Sequence, residues 1–179
     1  MKRKLVIATA AAAMLIGGGT ATAFATSADD TKPAPTTSTV TLEEAKTAAV
    51  KSTPGTVTGA ELDDDEPVWE MDVFGKDTKW HDVDVDARTA KVVSAHTDDD
   101  DRDRAPRNTK VTMTEAAAAA LKAQPGTLTS IDLDDDEGSH AWEAEIHGKD
   151  GKQHELNVDA ATAKVTADQD DADDDNDSD

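Results

Sequence analysis

An α+β fold in two repeats, each one helix packed on an antiparallel sheet of three to four strands, is what this 179-residue sequence predicts. Three observations carry that expectation. The chain repeats itself at a fixed offset. Each copy opens with the chemistry that starts a helix. Each copy then alternates apolar and polar residues with the period of two that marks half-buried strands.

The repeat is legible by eye. VTLEEAKTAAVKSTPGTVTGAELDDDE, from Val40, aligns with VTMTEAAAAALKAQPGTLTSIDLDDDE, from Val111, at an offset of 71, and Pro54-Gly55 falls on Pro125-Gly126. WEMDVFGKDTKWHDVDVDARTAKV, from Trp69, aligns with WEAEIHGKDGKQHELNVDAATAKV, from Trp142, at an offset of 73. The second copy therefore carries two extra residues just before its Trp.

The helix comes first in each copy. Thr41 with Glu44, and Thr112 with Glu115, have the spacing of a capping box, in which side chain and backbone satisfy each other's orphan donors. Leu42, Ala45, Ala49 and Val50 then recur at helical spacing, as do Met113, Ala116, Ala120 and Leu121. Pro-Gly ends both helices. Strands are expected near 56–62, 68–74 and 79–85, with a shorter fourth near 91–95 after the turn DARTA.

Alternation sets the register of the central hairpin. Trp69, Met71 and Val73 share one parity, and His81, Val83 and Val85 share another. If both sets face the helix, Trp69 pairs with Val85, Met71 with Val83 and Val73 with His81. The loop is then Lys76-Asp77-Thr78. Its counterpart Lys149-Asp150-Gly151 places Gly where a three-residue hairpin needs a positive φ. On the opposite face the same register sets Asp72 against Asp82, Glu70 against Asp84, and Glu145 against Glu155. Like charges directly opposed are destabilising, so this face is either simply solvated or gathers divalent cations weakly. Phe74 and Trp80 fall side by side on it, where the second copy has His147 and Gln153. An aromatic pair on one repeat only marks Phe74 and Trp80 as candidate protein-contact residues, or as a contact with the other repeat.

The rest of the chain is leader, linker and tail. Lys2, Arg3 and Lys4, an apolar run from Leu5 to Ile16, and two A-x-A sites read as a signal peptide over 1–25; the alternative is an uncleaved anchor. The chain has no Cys, hence no residue for a lipoprotein anchor and no disulfides. A disordered linker is expected over 26–39, repeat 1 over 40–97, a charged linker over 98–109, repeat 2 over 110–167 and an acidic disordered tail over 168–179. Cleavage removes three of 18 bases and none of 39 acids, taking the formal charge from −21 to −24. Such a chain repels nucleic acid and anionic membranes. It points to a secreted bacterial protein with no membrane association after cleavage.

Site chemistry is sparse. DLDDDEGSHAWE, from Asp132 to Glu143, has acids at calcium-loop positions 1, 3, 5 and 12, but Glu137 stands where an EF-hand needs Gly. In the first copy the matching Glu70 falls at position 10, and no helix leads into either loop. A solvated turn between strands is the expectation. His154-Glu155 opens like a zinc helix but lies on a strand and ends in Val158. His81 and His154 share parity with apolar neighbours and are expected to be partly buried, hydrogen-bonded strand-end residues. No catalytic residue, no cofactor and no metal ligand is expected, and the chain is read as non-enzymatic.

Helix, P-G, acidic turn, aromatic-Glu strand, G-K-D-G and V-D-A-x-T-x-K-V together resemble the PepSY domain, twice over. The segments Val85–Val92 and Val158–Val165 carry most of the likeness. Two departures occur in both copies: Ala90 and Ala163 stand where the family usually has Gly, so that turn differs or carries strain, and His81 and His154 stand where it usually has an aromatic residue. The resemblance implies a free-standing, two-domain secreted protein that modulates or inhibits an extracellular peptidase. The alternative is an acidic envelope protein that weakly binds or senses divalent cations.

Overall fold

The computed structural model of the chain describes residues 37–98, 105–134 and 140–167. The expected signal peptide, most of the leading linker, part of the charged linker and the acidic tail lie outside the described residues. The order of elements is α1 (Leu42–Ser52), β1 (Gly55–Leu62), β2 (Val68–Gly75), β3 (Trp80–Asp86) and β4 (Val92–Thr97), then α2 (Met113–Ala123), β5 (Gly126–Asp134), β6 (Ala141–Gly148), β7 (Gln153–Asp159) and β8 (Val165–Ala167).

Both helices start as their sequences dictate. The Thr41 side chain accepts from the Glu44 N–H while the Glu44 carboxylate accepts from the Thr41 N–H, and Thr112 with Glu115 does the same. Ala45 and Ala49 in α1, and Ala116, Ala117 and Ala120 in α2, are buried. Such small residues let each helix lie close to the sheet.

Larger side chains come from the strands. Trp69, Met71, Val73, Val83 and Val85 fill the first half of the core, and Trp142, Ala144, Ile146, Leu156 and Val158 the second. Each Trp also ties down the chain entering its helix. The Trp69 indole N–H donates to Ser38 Oγ at 3.1 Å and lies 3.3 Å from the Val40 carbonyl; that of Trp142 donates to the Val111 carbonyl at 2.9 Å. A buried indole needs such a partner for its one polar atom.

The hairpin register is the one the alternation predicts: Trp69 opposes Val85, Met71 opposes Val83 and Val73 opposes His81. The Gly75 N–H donates to the Lys79 carbonyl and the Gly148 N–H to the Lys152 carbonyl, both at 2.8 Å, leaving three-residue loops. Gly151 has φ +79° and Thr78 has φ +64°. The turns after β3 and β7 resolve the question raised by the missing glycines. Ala90 and Ala163 hold φ +56° and +58°, so the conformation is kept and the strain is carried in both copies.

One expectation changes. Each repeat supplies one helix and four strands, but the sheet is not divided between them. A single antiparallel sheet runs β4-β3-β2-β1-β5-β6-β7-β8. β1 and β5 join it through Gly59–Asp132, Ala60–Ile131 and Glu61–Ser130. Alone, each repeat would leave β1 or β5 as a bare edge, and pairing the two removes both edges. Both helices bury their alanines in one core that runs across the junction.

Candidate functional site

With the helices on one face, strand alternation turns every second residue to the other. There the pairings line up into rows across the sheet. One row runs His96–Asp82–Asp72–Gly59–Asp132–Glu143–Asn157–Thr166 and crosses all eight strands. The adjacent row runs Ser94–Asp84–Glu70–Glu61–Ser130–Glu145–Glu155. The three carboxylate oppositions expected from sequence, Asp72–Asp82, Glu70–Asp84 and Glu145–Glu155, are all present. What the sequence did not disclose is that the junction fuses the two acidic faces into one.

A cleft of about 270 Å³ opens on this face at the first repeat and the junction. The carboxylates of Glu61, Glu70, Asp72, Asp82, Asp84 and Asp132 line it, together with His96 and Gly59. Gly59 makes room for two of them: a Cβ there would fall 2.4 Å from Asp132 Oδ1 and 3.0 Å from Asp72 Oδ2. His96 Nε2 lies 3.3 Å from Asp82 Oδ2 at the far side of the row.

The electrostatics divide the acids into two classes. On the open face three carboxyls, those of Asp132, Glu70 and Asp82, are pushed up. Asp132 rises to about 7, first because the surrounding sheet strips its hydration and then because of Asp72, Glu61, Glu145 and Glu143. Its surface still reaches solvent. Loss of hydration, followed by Asp84 and other acids, raises Glu70; loss of hydration, followed by Asp72 and Asp98, raises Asp82, with His96 opposing. In the turns the reverse holds. Hydrogen bonds from Thr89 lower Asp86, those from Thr162 lower Asp159, and the cap bonds of Thr41 and Thr112 lower Glu44 and Glu115.

Phe74 and Trp80 stand directly opposite each other, with ring centroids 5.2 Å apart and planes at 62°, an edge-on pair. Both are half-buried. They lie next to the acidic rows, with Phe74 two residues beyond Asp72. The second repeat has His147 opposite Gln153, whose amide donates to Glu145. His81 and His154 sit at strand ends as expected. His81 Nε2 lies 3.0 Å from Asp77 Oδ1, and His154 Nε2 lies 3.1 Å from Asp150 Oδ2. Of the calcium-loop residues, Asp132 and Glu143 stand opposite each other on β5 and β6, and residues 135–139 of the expected solvated turn lie outside the described residues. Among the described residues no group of three His, Asp or Glu side chains is placed to hold a metal ion.

The residues sequence reasoning missed are Gly59 and Asp132. A signal was available for the first: a lone Gly inside a strand pattern, where the other copy has Ser130, marks a close approach.

Comparison with known proteins bears on both halves. The chain matches the family described as "Peptidase propeptide and YPEB domain" (PepSY) over residues 39–96 and again over 110–169. It is 29% identical to YkoJ of Bacillus subtilis (strain 168) over 168 residues, covering 92% of this chain and 95% of YkoJ. It is 29% identical over 128 residues to the B. subtilis membrane protein YkoI, covering 72% of this chain and 54% of YkoI, so it spans about half of that relative. Among solved structures, a chain described as a candidate lipoprotein of Clostridium difficile 630 gives a TM-score of 0.47 at 20% identity, over 74% of this chain and 96% of that one. Among the described residues no helix is long and apolar enough to cross a membrane.

Proposed function

Taking as premise that this chain belongs to the PepSY family through both of its repeats, we propose that it is a non-enzymatic interaction protein of the bacterial exterior or envelope that modulates a peptidase. The single observation that carries this reading is the fused acidic face. Two rows of polar side chains cross the sheet, and both described helices lie on the other side of it. A face of this kind complements a basic protein surface, and electrostatic complementarity of that sort raises association rates and selects partners. Phe74 and Trp80, beside the acids, supply the aromatic contact that interfaces favour.

The test uses the full chain, immobilised, and the peptidases of spent culture medium. The expected result is retention of a peptidase, its release by raised salt, and altered hydrolysis of a peptide substrate when the chain is added. Asp72→Asn with Glu70→Gln should weaken retention, and Phe74→Ala should weaken it further. Peptidase activity that neither binds nor changes rate across the medium's fractions would sink the proposal. The cation-responsive alternative draws on the same carboxylates, and the calcium measurement in the Discussion separates the two.

A further inference from the structure

The two outer strands of the sheet, β4 and β8, come from corresponding segments of the repeats. An open edge is a template for another strand, and native sheets blunt it with bulges and charge. β4 carries such a bulge: Val93 is the extra residue between the Val85–Val92 and Asp84–Ser94 pairs, so its regular edge is Ser94–Thr97. Among the described residues Val93 is the one exposed large hydrophobic side chain, 60% accessible.

The hydrogen bonding shows which groups β4 offers. The Asp98 N–H donates to the Trp80 carbonyl across the β3–β4 pair at 2.9 Å. By the period of two, the amides of His96 and Ser94 also turn toward β3. Those of Ala95 and Thr97 then turn toward the open edge. Ala95 stands opposite Val83 on the helix side of the sheet, and His96 opposite Asp82 on the acidic side.

The surroundings select the strand that fits. On the acidic side lie Asp82 and Asp84, and Asp98 follows β4 directly. A strand added beside β4 lies two strand spacings, about 9.6 Å, from Asp82 and Asp84. Lysine and arginine stems span such a gap to Asp84 across the short side chain of Ser94, whereas Asp82 already faces the His96 imidazole, whose Nε2 lies 3.3 Å from Asp82 Oδ2. On the helix side the neighbour is Ala95, and the exposed Val93 of the bulge adds apolar surface, so apolar residues suit this stretch. A second copy of this chain is disfavoured, since β4 against β4 would bring two sets of these acids together.

We propose that β4 is a strand-addition site for an extended segment of another protein in which basic and apolar residues alternate. Main-chain hydrogen bonds to Ala95 and Thr97 supply affinity, and the alternation supplies selectivity. This inference refines the proposed function by naming the recognised segment, yet nothing in it requires the partner to be a peptidase.

The probe is a seven-residue peptide alternating lysine and valine, titrated into the full chain with amide exchange followed residue by residue. Expected is slowed exchange at Ala95 and Thr97, and no binding of the same peptide with every second amide methylated. Ala95→Pro removes one outward N–H without touching the β3–β4 ladder, a placement edge strands tolerate. It should weaken binding at least tenfold. Val93→Lys, which leaves every amide in place, should weaken it several-fold and guards against a misfolded proline variant. Ala167→Pro, which removes an outward N–H on β8, should change nothing. Binding that survives both β4 variants and disappears with salt would assign the peptide to the acidic face and overturn the proposal. So would absence of binding at millimolar peptide, or protection at β4 that tracks self-association in sedimentation. Loss of peptide binding with peptidase modulation intact separates this site from the proposed function.

Discussion

Ala60 stands directly opposite Ile131 at the middle of the β1–β5 junction, and the two are equivalent positions of the two repeats. Gly59–Asp132 and Glu61–Ser130 flank them as exchanged equivalents. The repeats therefore meet about a pseudo-two-fold axis through this one pair, as the subunits of an isologous dimer do. An axis perpendicular to the sheet keeps both helices on one face and both acidic faces on the other. The symmetry is broken where it matters chemically: Asp132 faces a glycine, and its counterpart Glu61 faces a serine.

The junction makes the two halves one cooperative unit. Ile131 is fully buried and Ala60 is 2% accessible, within a core that both helices share. Thermal unfolding followed by Trp fluorescence and by far-UV circular dichroism should give coincident transitions. Ile131→Ala should cost about 2–5 kcal/mol and lower that single transition. Two resolved transitions in the parent protein would show that the repeats unfold independently.

The indole of Trp142 fills the second half of the core and holds the backbone that enters α2 through its bond to Val111. Trp142→Ala should destabilise by about 3–5 kcal/mol, the usual cost of truncating a buried aromatic residue. Trp142→Phe keeps most of the volume and loses the N–H, so it should cost less. Equilibrium denaturation by urea measures both. A midpoint for Trp142→Ala equal to that of the parent would remove Trp142 from the core.

Among the described residues three with side chains hold left-handed backbone: Thr78, Ala90 and Ala163. Glycine adopts that region without the Cβ clash, at some cost in unfolded-state entropy. Thr78→Gly, Ala90→Gly and Ala163→Gly should each stabilise by about 0.5–1 kcal/mol. Gly151→Thr should cost a similar amount. Because the four sites lie in separate turns, a combined triple-glycine variant should show near-additive gains in urea midpoint.

These same turns show how far the sequence could be read. Gly151 fixed a loop length, and the loop length agreed with the apolar parity of Trp69, Met71, Val73, Val83 and Val85, so two independent local rules set one register. The open face followed from that register, including the opposition of Asp72 and Asp82. The junction obeyed no such rule. β1 and β5 pair through only three positions, and Glu61, Ser130 and Asp132 read equally well as solvated residues on an outer strand. Whether an edge meets water or another strand depends on packing between segments distant in sequence. The fused acidic face and the special position of Asp132 were hidden for that reason.

Charge sets the response to ions. The chain has 39 acids and 18 bases, and its opposed carboxylates repel across β2–β3 and β6–β7. Sodium chloride should raise the melting temperature by screening. Calcium at matched ionic strength should add little, since among the described residues no three ligands converge on a metal position. A stoichiometric calcium site of micromolar affinity in a calorimetric titration would place the cation-responsive reading ahead of peptidase modulation, because a ligand that prefers the folded state stabilises it.

Stability should peak on the acid side of neutrality. The turn and cap acids Asp77, Asp86, Asp150, Asp159, Glu44 and Glu115 have lowered pKa values in the folded state. Their contribution is present above the ordinary carboxylate range and is lost as pH falls below about 4. Asp132 works in the opposite sense. Its carboxyl titrates at about 7 in the folded chain against 3.8 for an ordinary Asp. The folded state therefore holds a proton that the unfolded state has released across that interval, and stability falls as pH rises through it. Glu70 and Asp82, also raised, act in the same direction. The melting temperature should thus be highest near pH 5 and decline toward pH 8. Asp132→Asn keeps the shape and removes the charge, so it should raise the melting temperature at pH 8, leave it nearly unchanged at pH 5 and flatten the slope between. Parallel slopes in Asp132→Asn and the parent between pH 5 and 8 would mean that Asp132 is ionised throughout, and that the space left by Gly59 does not hold a protonated acid.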